Sequence, residues 1–155
     1  MNILLGVSGG IAAYKAADLT SQLVKVGHAV RVIMTPAATR FVGPLTFEAM
    51  SGHPVMTDVL ETGPTEGGVS AIAHIDWAKW ADVAVVAPLT ASTTGKLAGA
   101  IADNALVTVL LAVPAATPVL LCPAMNTQMW HHPAVQRALD WLVETGRYRV
   151  VAPTE

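Results

Sequence analysis

Charge is scarce in this sequence of 155 residues: Asp, Glu, Lys and Arg together make up 13%, against about a quarter in ordinary soluble domains. With 53% apolar residues, a surface so poor in charge is expected to be covered in part by other subunits. The formal net charge is −2, so no excess of one sign draws the chain to nucleic acid or to acidic membranes. A single cysteine, Cys122, excludes an internal disulfide framework. Long hydrophobic runs are missing too: Val83–Ala87 and Val107–Val113 are too short to span a bilayer. The opening Met1-Asn-Ile-Leu-Leu-Gly6 has no basic secretory leader. One domain over residues 1–155, cytoplasmic, with neither nucleic acid nor membrane as partner, is the expectation.

What is present alternates between strand and helix. Asn2–Val7 is an apolar run that stops at Ser8-Gly9-Gly10, and a helical pattern begins at Ile11. Leu19, Leu23 and Val26 continue one apolar face at helical spacing until Gly27 ends it. Ala29–Met34 is the next strand. Strand, Gly-rich turn, helix and strand open a doubly wound α/β fold. Thr39–Val42 and Pro44–Met50 read as short helical turns, the second ended by Gly52, and Asp58–Ser70 as a loop. In Ala71–Asp82, Ile72, Ile75 and Trp80 are expected to pack inward, with His74 near the loop end. Val83–Ala87 suits a central parallel strand buried on both faces. Ala105–Val113 reads as a helix apolar nearly all round, set in the core or against another subunit. Pro133–Gly146 is an amphipathic helix with Val135, Leu139 and Leu142 on one face, and Tyr148–Ala152 is a last strand.

Three stretches carry chemistry. The hydroxyl and free N–H groups of Ser8–Gly10, at a helix start, suit a phosphate. No Gly-Lys-Ser/Thr follows, so this is not a P-loop, and Gly6, Gly9 and Gly10 are misspaced for a dinucleotide fingerprint. The second strand ends in Thr35-Pro-Ala-Ala38, without an acid for an adenine ribose; NAD is disfavoured and FMN fits better. Gly6-Val-Ser-Gly-Gly10 also spells a nucleophile elbow, but that reading needs earlier strands and an oxyanion loop. In Pro88–Lys96, the hydroxyls of Thr90, Ser92, Thr93 and Thr94 crowd a helix entrance, more than caps alone explain. In Cys122–Trp130, Asn126 offers a donor and an acceptor beside two methionines and Trp130. A strand-to-helix loop with a capping Asn accounts for the last stretch equally well. His131-His132 has no Cys or acid at zinc spacing, so surface or subunit contact is expected of it.

Pro123-Ala-Met-Asn-Thr-Gln-Met-Trp130 resembles the PxMNxxMW motif of the flavin-dependent cysteine decarboxylases. The likeness runs along the chain. His74-Ile-Asp with Trp80-Ala-Asp82 is similar to their active-site histidine segment, and Pro88–Thr93 to their PASANT motif, with Ser92 in place of its asparagine. Gly6–Lys15 and Lys96–Asn104 continue the pattern. The resemblance implies a three-layer, flavodoxin-like parallel sheet with FMN as cofactor. It implies that Ser8, Gly9, Gly10, Ile11, Thr35, Ala37, Thr90, Ala91, Ser92, Thr93 and Ala124 line the flavin. It also implies that His74 and Asn126 are catalytic, and that Asn126 and Met129 meet the substrate.

The activity implied is decarboxylation of 4'-phosphopantothenoylcysteine in coenzyme A biosynthesis. The cysteine is oxidised to a thioaldehyde, carbon dioxide leaves, and the enethiolate is reduced to 4'-phosphopantetheine. A peptidyl-cysteine decarboxylase releasing the enethiol, a flavin prenyltransferase and a non-catalytic flavoprotein or regulatory subunit are the alternatives. The resemblance further implies a homotrimer, or a dodecamer built from trimers, and a fused or separate phosphopantothenoylcysteine synthetase. Members that return a fully reduced product carry a cysteine in a flap beyond the last strand. The sequence stops at Glu155 before that point, so the flap is expected to lie outside it, and Cys122 is not assigned the role.

Overall fold

The computed structural model describes residues 1–60 and 72–153. Its five strands are β1 Asn2–Val7, β2 Ala29–Met34, β3 Val83–Leu89, β4 Val119–Pro123 and β5 Tyr148–Val150. All pair in parallel, in the order β2-β1-β3-β4-β5. The chain steps outward from β1 to β2, then crosses back to lay β3 on the other side of β1. That reversal opens a crevice at the carboxyl ends of β1 and β3, where open α/β sheets take ligands.

Among the described residues, seven α-helices make the crossovers: α1 Ala13–Lys25, α2 Pro44–Ser51, α3 Ala73–Trp80, α4 Ala91–Ala98, α5 Ala105–Ala112, α6 Thr127–Trp130 and α7 Pro133–Glu144. Side chains alternate across a strand. On one face Ile3, Leu5, Val7, Val30, Val32 and Met34 therefore meet α1 and Phe47 of α2. On the other, Leu4, Ile33, Ala84 and Val86 meet α3, α5 and α7. The result is the expected three-layer, flavodoxin-like α/β arrangement. No helix among the described residues is long and apolar enough to cross a membrane.

Several helix faces differ from their sequence patterns. The first helix begins at Ala13, not Ile11: the Gly10 carbonyl closes a turn on Ala13 N–H at 2.9 Å, and Ile11 is 78% exposed. The buried stripe of α1 is Ala13, Ala16, Ala17 and Thr20, with Leu19 and Leu23 only partly covered and Val26 exposed. Small side chains let the helix lie close to the sheet, and this close approach outweighs the larger apolar face. In α3 the inward residues are Ala73, Trp77 and Ala78, while Ile72 is half exposed. Arg31 of β2 stacks against Trp77 and Trp80, 5.4 and 4.4 Å from the ring centroids, and so helps fix that orientation.

Nor is β3 buried on both faces. Ala84 and Val86 are covered, but Val83, Val85 and Ala87 are only half-buried, as are Leu120 and Cys122 on β4. These half-buried β3 residues pack only partly against the cluster that α1 and Phe47 of α2 complete. The apolar α5 does fill the core, burying Ala105, Leu106, Val107, Val109 and Leu110. The expected loop Asp58–Ser70 lies mostly outside the described residues.

Candidate active site

Four strand ends each deliver a turn to the crevice. Gly9–Ala12 follows β1, Thr35–Ala37 follows β2, Thr90–Thr93 follows β3, and Ala124–Asn126 with Met129 follows β4. Together with Lys96, Asp103 and Asn104 they enclose a cavity of about 770 Å³, well within the size of small-molecule and cofactor sites. Of the residues singled out from sequence, Gly9, Gly10, Ile11, Thr35, Ala37, Thr90, Ala91, Ser92, Thr93, Ala124, Asn126 and Met129 line it.

Two others do not. Ser8 is fully buried; its Oγ donates to the Pro88 carbonyl at 2.6 Å and accepts from Thr90 N–H at 2.9 Å. The hydroxyl thus fastens the end of β1 to the turn after β3, beneath the cavity. Its hydroxyl is committed to these two bonds, off the cavity wall and not exposed as a nucleophile would be. His74, the second residue of α3, is half-buried and is absent from the cavity wall of its own chain.

The first two turns are pressed together. A Cβ on Gly9 would lie 2.4 Å from Ala37 Cβ and 2.9 Å from the Ala37 carbonyl carbon, so only glycine fits there. At α4, Thr90 is the N-cap, its Oγ1 accepting from Thr93 N–H at 3.3 Å. Thr90 Oγ1 also donates to Thr93 Oγ1, and Thr94 Oγ1 donates back to the Thr90 carbonyl at 2.9 Å. Three of the four hydroxyls therefore organise the helix start, more than expected, and Ser92 is the exposed one left facing the cavity. The first-turn N–H groups of Ala91 and Ser92 have no acceptor within the helix, which makes this end of the cavity receptive to an anion.

Asn126 meets both of its sequence readings at once. It is the N-cap of α6, its Oδ1 accepting from Gln128 N–H at 2.8 Å. That bond uses the oxygen and leaves the Nδ2 amide group without a protein partner among the described residues, on a residue that lines the cavity. The cap thus leaves a donor group unused on the cavity wall. His132 is likewise a cap, its Nδ1 accepting from Ala134 N–H at 3.2 Å at the start of α7. Burial pushes the Cys122 thiol up, which disfavours its thiolate and any nucleophilic part for it. Lys96, Asp103 and Asn104 are wall residues that sequence reading assigned no role. The available signals were that Lys96–Asn104 continues the family pattern and that Lys96 falls a helical turn after Ser92.

The Flavoprotein family model matches residues 1–155. The coenzyme A biosynthesis bifunctional protein CoaBC of Bacillus subtilis (strain 168) is 53% identical over 154 residues, 99% of this chain and 36% of that protein. The chain thus spans about a third of that relative's length. The probable phosphopantothenoylcysteine decarboxylase of Streptococcus mutans is 44% identical over 151 residues, 97% of this chain and 82% of that protein. Among solved structures, the FMN-dependent cysteine decarboxylase SpaF superposes with a TM-score of 0.87 at 38% identity, covering 100% of this chain and 85% of that one. A family model that matches from end to end, on a fold that superposes this closely, means that the chain belongs to the Flavoprotein family.

Proposed function

We propose that this chain holds FMN in the cavity and decarboxylates the cysteine end of 4'-phosphopantothenoylcysteine, giving 4'-phosphopantetheine. The observation that carries this reading is Asn126, a cavity-wall residue whose Oδ1 caps α6 while its NH₂ group keeps no protein partner among the described residues, beside anion-receptive amides and apolar residues. The residues present fit FMN. Neutral donors at Ala91 and Ser92 suit a phosphate, and Ile11, Ala37 and Ala124 offer apolar walls for a flat ring. Gly9, Gly10, Thr35, Thr90 and Thr93 complete the set that would hold it. When bound, the flavin supplies a two-electron oxidation of the cysteine side chain and the return reduction after carbon dioxide has left. The chain's own part is placement. Asn126 Nδ2 donates to the departing carboxylate, Met129 gives apolar contact to the substrate, and His74 orients the substrate and carries a proton.

The choice of substrate is supported by identity. At 53% and 44%, the chain is more similar to the two proteins named for coenzyme A biosynthesis and for phosphopantothenoylcysteine decarboxylation than to SpaF at 38%. The bifunctional relative supports a fused or separate synthetase as partner. A cytoplasmic setting goes with that pathway.

The site is completed by another copy of the chain, in a trimer or a dodecamer built from trimers. Three features support this: His74 lies off the wall of its own cavity, Ile11 is 78% exposed at the cavity, and the stripe Val83, Val85, Leu120 is only half covered. Light scattering is expected to give the mass of three chains or a multiple; a stable monomer with FMN bound contradicts it. The purified protein is expected to be yellow, to release FMN and not FAD on heating, and to evolve carbon dioxide from phosphopantothenoylcysteine. A colourless protein that takes up no FMN on titration ends this reading.

A further inference from the structure

Among the described residues, the charged side chains on the cavity wall are Lys96 and Asp103, and nothing in the reading so far uses them. Lys96 Nζ donates to both carboxylate oxygens of Asp103 at 2.9 Å. The pair bridges α4 to the residue before the N-cap of α5. There Asn104 Oδ1 accepts from Val107 N–H at 3.0 Å, so the carboxylate stands on a fixed corner. As a stability device the pair is weak. The two side chains are 34% and 54% exposed, and ion pairs open to solvent to that degree contribute at most about 1 kcal/mol.

Its position is more informative. Lys96 follows Ser92 by four residues on α4, so the two share one face of the helix, and both line the cavity. The ammonium has three donors, of which the two bonds to Asp103 occupy two. One cation therefore stands a helical turn from a cradle of uncharged donors, with a donor to spare. Asp103, held against it, offsets part of its field.

Resting on the FMN reading above, we infer that Lys96 selects the phosphorylated flavin. Its ammonium attracts the cofactor's phosphate, and Asp103 fixes the ammonium in place while moderating that attraction. The pair sets how strongly the site prefers FMN to riboflavin. The two residues oppose each other in sign. A merely structural bridge responds alike to the loss of either end.

Dissociation constants for FMN and for riboflavin, measured by fluorescence quenching on the intact chain, test this. Lys96→Met is expected to weaken FMN about tenfold and Asp103→Asn to tighten it about threefold, with riboflavin moving less than twofold in either. Lys96→Arg, which keeps the charge, stays within about threefold of the parent for FMN. Thermal melts serve as the folding control. The inference is overturned if both variants weaken FMN, if neither changes it, or if riboflavin moves as far as FMN. A parent protein that binds no FMN overturns the cofactor reading and this inference with it, whereas a parent that binds FMN beside unresponsive variants overturns the inference alone.

Discussion

Replacing Asn126 by Asp is expected to leave the fold and the flavin in place and to lower decarboxylation about a thousandfold. The two side chains are nearly isosteric. The cap on α6 needs an oxygen accepting from Gln128 N–H, and a carboxylate supplies one at a helix start, where negative charge is favoured. What the substitution removes is the Nδ2 donor, and what it adds is a charge facing the substrate's own carboxylate. At an effective dielectric of about 20, two like charges about 4 Å apart repel by roughly 4 kcal/mol. Each 1.4 kcal/mol or so is a factor of ten in rate, which gives the thousandfold. Carbon dioxide release from phosphopantothenoylcysteine measures the effect, with the flavin spectrum as the control. Activity within a few fold of the parent would show that Asn126 does not meet the carboxylate; loss of flavin would move it to the cofactor site. His74→Asn, assayed alongside, should also spare the flavin, because the imidazole is assigned to the substrate and not to the cofactor.

Gly9→Ala is expected to cost flavin affinity about ten- to a hundredfold, while Gly10→Ala changes it by no more than a few fold. The residues are neighbours in one turn, and both line the cavity. They differ in what an added methyl group meets. At Gly9 it would lie 2.4 Å from Ala37 Cβ, 2.9 Å from the Ala37 carbonyl carbon and 3.1 Å from Ala38 N. Two of those are backbone atoms, and Ala38 is fully buried with its N–H donating to Thr35 Oγ1 at 3.2 Å. The segment has no flexible tip that could swing aside, so the first and second turns must part. Overpacking of this kind costs about 1–3 kcal/mol, and it opens the wall that the two turns make together. At Gly10 the nearest atom is Thr90 Cγ2 at 3.6 Å, an ordinary contact. FMN titration of the two variants, with melting curves, distinguishes them. Equal losses would mean that the turn matters for its contact with the ligand and not for its contact with Ala37.

The sequence by itself determined the order of elements and the turns that form the cavity. Mainly apolar runs, broken only by Asn2 and Arg31, fix β1 and β2 to the residue, because strands in a parallel sheet need apolar side chains facing helices on both sides. Gly27, Gly52 and Gly146 mark helix ends, each with the positive φ that other residues adopt at a cost. Twelve of the fourteen residues proposed for the site from sequence line one cavity, since each belongs to a turn at a strand's carboxyl end. The topology carries all those turns to one edge of the sheet.

Only the tertiary structure decided which side chains within those turns are free. Ser8 looked like a ligand residue, but its hydroxyl is consumed by Pro88 and Thr90, some eighty positions away in sequence. Thr94 looked like a phosphate ligand, and it braces the start of α4 instead, while Thr93 both braces that start and lines the cavity. The inward face of α1 went to its alanines because the helix packs close to the sheet, a distance that periodicity does not encode. His74 stands off the cavity wall of its own chain, on a helix whose Trp77 and Trp80 stack with Arg31 of β2. Lys96 and Asp103 meet through a corner between two helices. In each case a local pattern shows what a residue can do, and a contact made across the fold determines whether that capacity is already used.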